Sequence, residues 1–216
     1  MGPVQPQVTR LPDDQWRAAG ECLTRAFLPD PLWSRLFPDR DRRLDRLTAL
    51  FTGMARSSVY GGLPLATPSI SAVALWQPPR HPRLLPALRS GLPMQRFVLG
   101  LTGEERRRFL AVVSRLDERR ATLMAYPHWY LEVIGVEPTY QGEGLGSALV
   151  SDGLTRADED ELPTYLETQS EVNVAFYTGF GFRVLQEVRT RELGVPIWLM
   201  TRDPVRQPEL TVQQGW

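Results

Sequence analysis

Lysine is absent from this 216-residue chain, and all 25 basic side chains are arginine. No lysine nucleophile and no lysine-based phosphate clamp can therefore operate. Cys22 is the single cysteine, so no intramolecular disulfide can form. It falls in an apolar helical pattern and reads as a small core residue. Net charge is missing too, because 25 acidic residues balance the arginines. Such a chain offers no basic footprint for nucleic acid and no polybasic patch for a membrane surface. No run of about 18 apolar residues occurs, so no membrane span is expected. The opening MGPVQPQV has neither the charged nor the apolar part of a secretory leader, which makes a cytoplasmic location the expectation. No His, Cys, Asp or Glu cluster has metal-ligand spacing, so no metal is expected.

What is present suits one globular domain. Hydrophobic residues make up 42% and charged residues 23%, enough at this length for a real core. A strand is expected at about Gln5 to Arg10, then a helix opening at Pro12-Asp13-Asp14. Its apolar positions, Trp16, Ala19, Cys22, Leu23, Ala26 and Phe27, recur at three- and four-residue spacing. A short apolar segment, Leu32 to Phe37, precedes a second helix over Arg40 to Tyr60. Leu63–Thr67 and Ile70–Trp76 read as a hairpin. From His81 to Tyr126 the pattern is helical, broken at Pro82, Pro86, Gly91-Leu92-Pro93 and Gly100–Gly103. Its last piece, Glu104 to Met124, is rich in Arg and Glu and reads as a solvated face. Strand His128–Val136, helix Gly146–Glu159, strand Thr164–Thr168, helix Val172–Thr178 and strands Phe182–Arg191 and Ile197–Arg202 complete the order. The fold class is α/β (α+β), one domain over residues 1–204 with a mixed central sheet flanked by helices, a helical insertion before the fourth strand, and 205–216 as a flexible tail.

The chain is organised around His128 to Val150. A strand turns through Glu137-Pro138 into Gln141-Gly142-Glu143-Gly144-Leu145-Gly146 and continues as a helix. A glycine-rich turn between strand and helix is a phosphate cradle, since the first helical N–H groups lack internal partners. A P-loop is excluded for want of lysine. A dinucleotide fingerprint would place its third glycine one position later than Gly146.

Val136-x-Pro138-x-x-Gln141-Gly142-x-Gly144-x-Gly146 resembles the acetyl-CoA loop of the GCN5-related N-acetyltransferases, the GNAT superfamily. The resemblance continues through Leu166-Glu167-Thr168, Asn173, Phe176-Tyr177 and Gly179-Phe180-Gly181-Phe182. A closer similarity is to the subgroup that includes puromycin N-acetyltransferases. It rests on Ala26-Phe27, Asp30-Pro31, Val73-Ala74-Leu75-Trp76-Gln77-Pro78, Trp129, Gly135-Val136 and the strand of Trp198, Met200 and Arg202. The resemblance implies a GNAT-type domain and direct transfer of acetyl from acetyl-CoA to a primary amine of a small molecule, an antibiotic or another secondary metabolite. A protein or peptide acetyltransferase, or an acyl-CoA-binding sensor without turnover, are the alternatives. Monomer and homodimer both remain open.

The resemblance also distributes roles. The N–H groups of Gln141, Gly142, Glu143, Gly144, Leu145, Gly146 and Ser147 would take the pyrophosphate of CoA. The backbones of Ile134, Gly135 and Val136 would pair with the pantetheine arm, Gly135 letting the thioester sit close. Asn173 matches a position that contacts that arm. Tyr177 matches a tyrosine that protonates the leaving thiolate, a suitable task for a phenol.

Strand alternation puts His128, Tyr130, Glu132, Ile134 and Val136 on one face. Glu132 is the first choice for general base and His128 the second, since an acid in so apolar a strand is unusual. Glu167 either binds the acceptor amine, serves as the base, or ties backbone where strands splay. Phe27, Asp30, Trp33, Trp76 and Tyr130 are candidate walls of the acceptor site.

Overall fold

The computed structural model describes residues 6–79, 86–189 and 194–205. The first strand is short, β1 (Thr9–Arg10), and is followed by α1 (Trp16–Phe27), α2 (Pro31–Leu36) and α3 (Arg40–Gly61). The hairpin is β2 (Leu63–Ala66) and β3 (Ala72–Gln77). The insertion is α4 (Pro86–Gly100) and α5 (Gly103–Leu123). The second half runs β4 (Trp129–Val136), a 3-10 turn at Pro138–Tyr140, α6 (Leu145–Glu159), β5 (Thr164–Thr168), α7 (Glu171–Thr178), β6 (Arg183–Arg189) and β7 (Pro196–Arg202).

Two local features depart from the sequence pattern. The segment after Pro31 is helical because the Asp30 carboxylate caps it, accepting from the N–H of Leu32 at 2.9 Å and of Trp33 at 3.3 Å. The expected break at Gly91–Pro93 does not occur, and α4 runs through with Pro93 inside it. The start of α5 carries a capping box, in which Thr102 and Glu105 satisfy each other's backbone N–H groups. The tail expected over 205–216 lies outside the described residues except for Val205, whose N–H donates to Asp158 at 2.8 Å.

The strands form one mixed sheet in the order β1-β2-β3-β4-β5-β7-β6. Every pairing is antiparallel except β4 with β5, which is parallel. Helices cover both faces. On one face α1, α2, α3 and α5 build a core with Leu23, Phe51, Val73, Leu75 and Val133. Further along that face, Leu116 and Leu123 of α5 pack with Tyr165, Ile197 and Leu199. On the other face Leu149, Val150 and Leu154 of α6 pack with Trp76, Leu131 and Met200.

Trp76 is fully buried in that second layer. A Cβ placed on Gly153 of α6 would come within 2.1 Å of its indole, so the helix needs glycine there to approach the ring. Trp76 is thus an inter-layer core residue and not a wall of an acceptor site.

Candidate active site

The parallel strands β4 and β5 pair over a short distance only. Trp129, Tyr130 and Leu131 lie opposite Thr164, Tyr165 and Leu166, and there the register ends. Beyond it β4 continues to Val136 against β3 alone. The two strands diverge, leaving one backbone edge of residues 132–136 without a β5 partner. This open edge is where Ile134, Gly135 and Val136 lie.

A β-bulge sits at the point of divergence. Trp76 pairs with Leu131 and Leu75 with Val133, so Glu132 is the extra residue on β4. The bulge overturns the single-face alternation expected from His128 to Val136. Tyr130 packs toward α5, and Glu132 feels the charges of Arg120 and Asp117 on that helix. Ile134 and Val136 instead pack on the α6 side. Gly135 faces α1, where a Cβ would meet Ala26 at 2.9 Å and Leu23 at 3.0 Å. Close packing of α1, and not room for a thioester, is what that glycine's missing side chain provides here.

The structure brings Glu132 and Glu167 together at the divergence. Glu167 accepts hydrogen bonds from the Tyr130 hydroxyl at 2.8 Å and the Tyr165 hydroxyl at 3.0 Å. Burial pushes its carboxyl up, against the pull of Arg120 and the two phenols. Burial likewise raises the Glu132 carboxyl, against the Gln77 side chain and Arg120. The same burial, together with Glu167, holds the phenols of Tyr130 and Tyr165 well above their ordinary value.

His128, the second candidate base, meets the Tyr165 ring edge-on at 6.1 Å between centroids, and its Nδ1 is 2.8 Å from the Tyr126 carbonyl.

The glycine loop closes the open end of β4. Gly142 and Gly144 both hold left-handed backbone, φ 86° and 79°. Gly144 is the N-cap of α6, and no side chain caps that helix. The first N–H groups of a 15-residue helix are therefore left to a ligand or to solvent. Nothing lies within 4 Å of where a Cβ of Gly142 or Gly144 would stand, so the space above the loop is open. This arrangement fits a pyrophosphate: free donors at the positive end of a helix dipole, under an unobstructed backbone. The Gln141 amide turns back to the Val136 carbonyl at 3.3 Å. Glu143 is exposed, Leu145 opens α6 and is partly buried, and Ser147 lies in the first turn of the helix.

On α7, Tyr177 is buried among Phe176 and Phe182. Burial is the one cause that raises its phenol, so it stays protonated across the working range of an enzyme. Asn173 lies one turn earlier and is exposed.

The acceptor-wall candidates fare unevenly. Phe27 and Trp33 are half-buried around the Phe51 ring, at 5.1 and 5.9 Å between centroids. The Asp30 carboxylate is committed to its helix cap, and burial raises it. Only Tyr130 joins the carboxylates directly. A groove of about 1260 Å³ lies across the outer faces of α1, α3 and α4, and none of the candidate site residues lines it.

Arg120, Asp117, Tyr165 and Gln77 belong to the cluster and were not singled out by sequence. Arg120 lies 4.2 Å over the Tyr130 ring and donates to Asp117 at 2.6 Å. A signal existed. Arg120 falls four residues after Leu116 and three before Leu123, so it interrupts the apolar face of α5.

Comparison with known proteins agrees with this geometry. The model of the acetyltransferase (GNAT) family matches residues 73–182, just over half of the chain. An uncharacterized N-acetyltransferase of Schizosaccharomyces pombe is 29% identical over 205 residues, covering 90% of this chain and 82% of that one. A Corynebacterium glutamicum structure described as histone acetyltransferase HPA2 and related acetyltransferase superposes with a TM-score of 0.65. It is 25% identical and covers 96% of this chain and 100% of its own. Arylalkylamine N-acetyltransferase 2 of Aedes aegypti shares the fold at a TM-score of 0.62 and 10% identity, covering 93% of this chain and 99% of its own. With its divergent parallel strands, uncapped glycine loop and matching family model, the chain is an acyltransferase and belongs to the acetyltransferase (GNAT) family.

Proposed function

We propose that the protein transfers an acetyl group from acetyl-CoA directly to a primary amine of a small molecule, with both substrates bound together. The observation that carries this reading is the divergence of β4 and β5, with two half-buried carboxylates at its apex and the uncapped loop at its open end. When bound, acetyl-CoA supplies an activated thioester acyl group. Loop residues Gln141–Ser147 hold its pyrophosphate on backbone N–H groups. The open edge at Ile134–Val136 and the side chain of Asn173 align its pantetheine arm.

Within this chain, two groups handle protons. Glu132 accepts the proton of the acceptor amine, directly or through a water, and its raised carboxyl brings it nearer the strength such a base needs. Tyr177 holds a proton on its phenol for the leaving sulfur. Glu167 is already engaged by two hydroxyls, so it orients the site. A net excess of carboxylate there favours an amine that arrives as a cation. The Aedes aegypti neighbour, by its name, acts on arylalkylamines. The half-buried rings of Phe27 and Trp33 are of the type that would face an apolar amine body.

A thiol-release screen with acetyl-CoA tests the reading. The panel holds aminonucleosides, aminoglycosides, arylalkylamines, amino acids and peptides. Release with small amines, antibiotics among them, supports it. Release with peptides alone moves the activity to polypeptide termini. Tight CoA binding with no release by any amine leaves a sensor.

A further inference from the structure

The Arg-rich α5 covers the α5 face of β4, β5 and β7, and one of its arginines turns inward. Arg120 is anchored on Asp117 one turn earlier at 2.6 Å. Its side chain is 18% exposed, so the guanidinium sits at the edge of the site and not in open solvent. It lies flat enough on Tyr130 for a 4.2 Å approach to the ring centroid. Tyr130 in turn donates to Glu167, and Tyr165 donates to the other oxygen of the same carboxylate. The chain of contacts thus runs Asp117, Arg120, Tyr130, Glu167, Tyr165, and Glu132 stands beside it on the β4 bulge.

We propose that Arg120 is a positioning residue for acetyl transfer: its guanidinium holds Tyr130 against Glu167 and supplies the positive charge for the carboxylate pair at the strand divergence. The inference rests on the acetyl-transfer reading of the same site. Two buried like charges side by side repel, and each is driven toward its neutral form. A cation touching the intervening phenol opposes this for both. The charged and titratable groups around the pair are Asp117 and Arg120 of α5, Tyr130 of β4 and Tyr165 of β5, with His128 edge-on to the Tyr165 ring. Burial works against the Arg120 charge, and Tyr130, Glu167 and Asp117 more than offset it. The dependence is therefore mutual.

Arg120→Gln removes the charge and leaves a shorter polar side chain. Arg120→Lys keeps the charge without the planar group. The first readout is the infrared band of protonated carboxyl, assigned through its loss in Glu132→Gln and Glu167→Gln. In Arg120→Gln the band persists to a pH higher by roughly one unit or more, the scale of losing an opposite charge at close range. Arg120→Lys reverses most of that shift. This readout needs no turnover, so an inactive wild type with the band shift present defeats the acetyl-transfer reading, and with it the role in transfer, while the charge coupling of Arg120 to the carboxylate pair is kept. The second readout is the ascending limb of kcat/KM against pH, which moves the same way in Arg120→Gln and returns in Arg120→Lys. A folded Arg120→Gln whose band stays at the wild-type pH overturns the proposal. A rate loss with the limb unmoved does so too, since a merely structural arginine behaves in that way. Where Arg120→Gln does not fold, Arg120→Met, whose apolar stem still covers the Tyr130 ring, gives the same test.

Discussion

Glu132 and Glu167 are the first residues past the last register pair of two parallel strands, Leu131 opposite Leu166. Each is the point at which its strand loses the other. The sheet has therefore been opened beside two acids. Alternation from Tyr130 and Tyr165 puts both carboxylates on the α5 side, and the bulge at Glu132 sends Ile134 and Val136 to the α6 side.

This pairing predicts a kinetic asymmetry. In the proposed reaction Glu132 carries the proton transfer and Glu167 the alignment. Glu132→Gln should remove the ascending limb of the pH–rate profile and lower kcat/KM by about 10²- to 10⁴-fold, the range for a lost general base. Glu167→Gln should keep an ascending limb, because Glu132 is still present. Stopped-time assays from pH 5 to 9 would decide it. An unchanged limb in Glu132→Gln removes Glu132 as the base.

Stability should respond to pH through the same group. The Glu132 carboxyl is raised by burial, so the folded state holds its proton after the unfolded chain has lost one. Stability contributed by the neutral acid is then full below the ordinary carboxyl value and is lost as pH rises through the raised one. Glu132→Gln stays neutral at every pH. Its Tm should match wild type near about pH 4 and exceed it at neutral pH. Thermal unfolding at the two pH values checks this, and a constant difference in Tm contradicts it.

Tyr177 is suited to donate and unsuited to ionise. Burial raises its phenol with no charged neighbour contributing. Tyr177→Phe keeps the ring packing against Phe176 and Phe182 and removes the one proton. Turnover should drop by about 10²-fold or more, while the dissociation constant for CoA, measured by calorimetry, stays near wild type. Full turnover would sink the assignment of Tyr177 as acid.

The sequence carried the second half of the fold well, because strand and helix periods there are long and the glycine punctuation is local. The loop from Gln141 to Ser147 was readable for the same reason. What it could not show was the bulge at Glu132. Alternation assumes an unbroken pleat, and an extra residue changes which side chains share a face. Arg120 was hidden for a different reason. Its neighbours in sequence are charged and exposed, its break in the Leu116–Leu123 face is a faint signal, and the packing of α5 against Tyr130 is what singles it out. Trp76 erred in the other direction. An indole in a strand reads equally as core or as pocket wall, and Gly153, far away in the chain, decided for core.

That contact makes a stability test independent of the site. Gly153→Ala puts a methyl group where the Trp76 ring stands, with a nearest approach of 2.1 Å. Either α6 moves off the sheet or the indole leaves its rotamer. Overpacking of this kind costs about 1–3 kcal/mol, measurable as a lower midpoint in urea. Because α6 also follows the glycine loop proposed to hold the pyrophosphate, CoA affinity should fall with it. A neutral midpoint would mean that the helix and sheet are not held at this spacing.

The loop itself can be tested by conformation alone. Gly144 holds φ 79° at the N-cap of α6, and a Cβ there would touch nothing within 4 Å. Gly144→Ala therefore adds no clash and acts only through backbone strain, about 1–2 kcal/mol for an L-residue in the left-handed region. If α6 offers its first N–H groups to a pyrophosphate, relaxing that strain tilts the donors away from the anion. The KM for acetyl-CoA should rise by roughly 5- to 30-fold, the binding equivalent of that energy, while the KM for the amine changes little. Ser147→Ala, one turn into the helix, leaves the N–H groups in place and serves as the control. Equal effects of the two substitutions would place the phosphate contacts on side chains and not on the backbone of the loop.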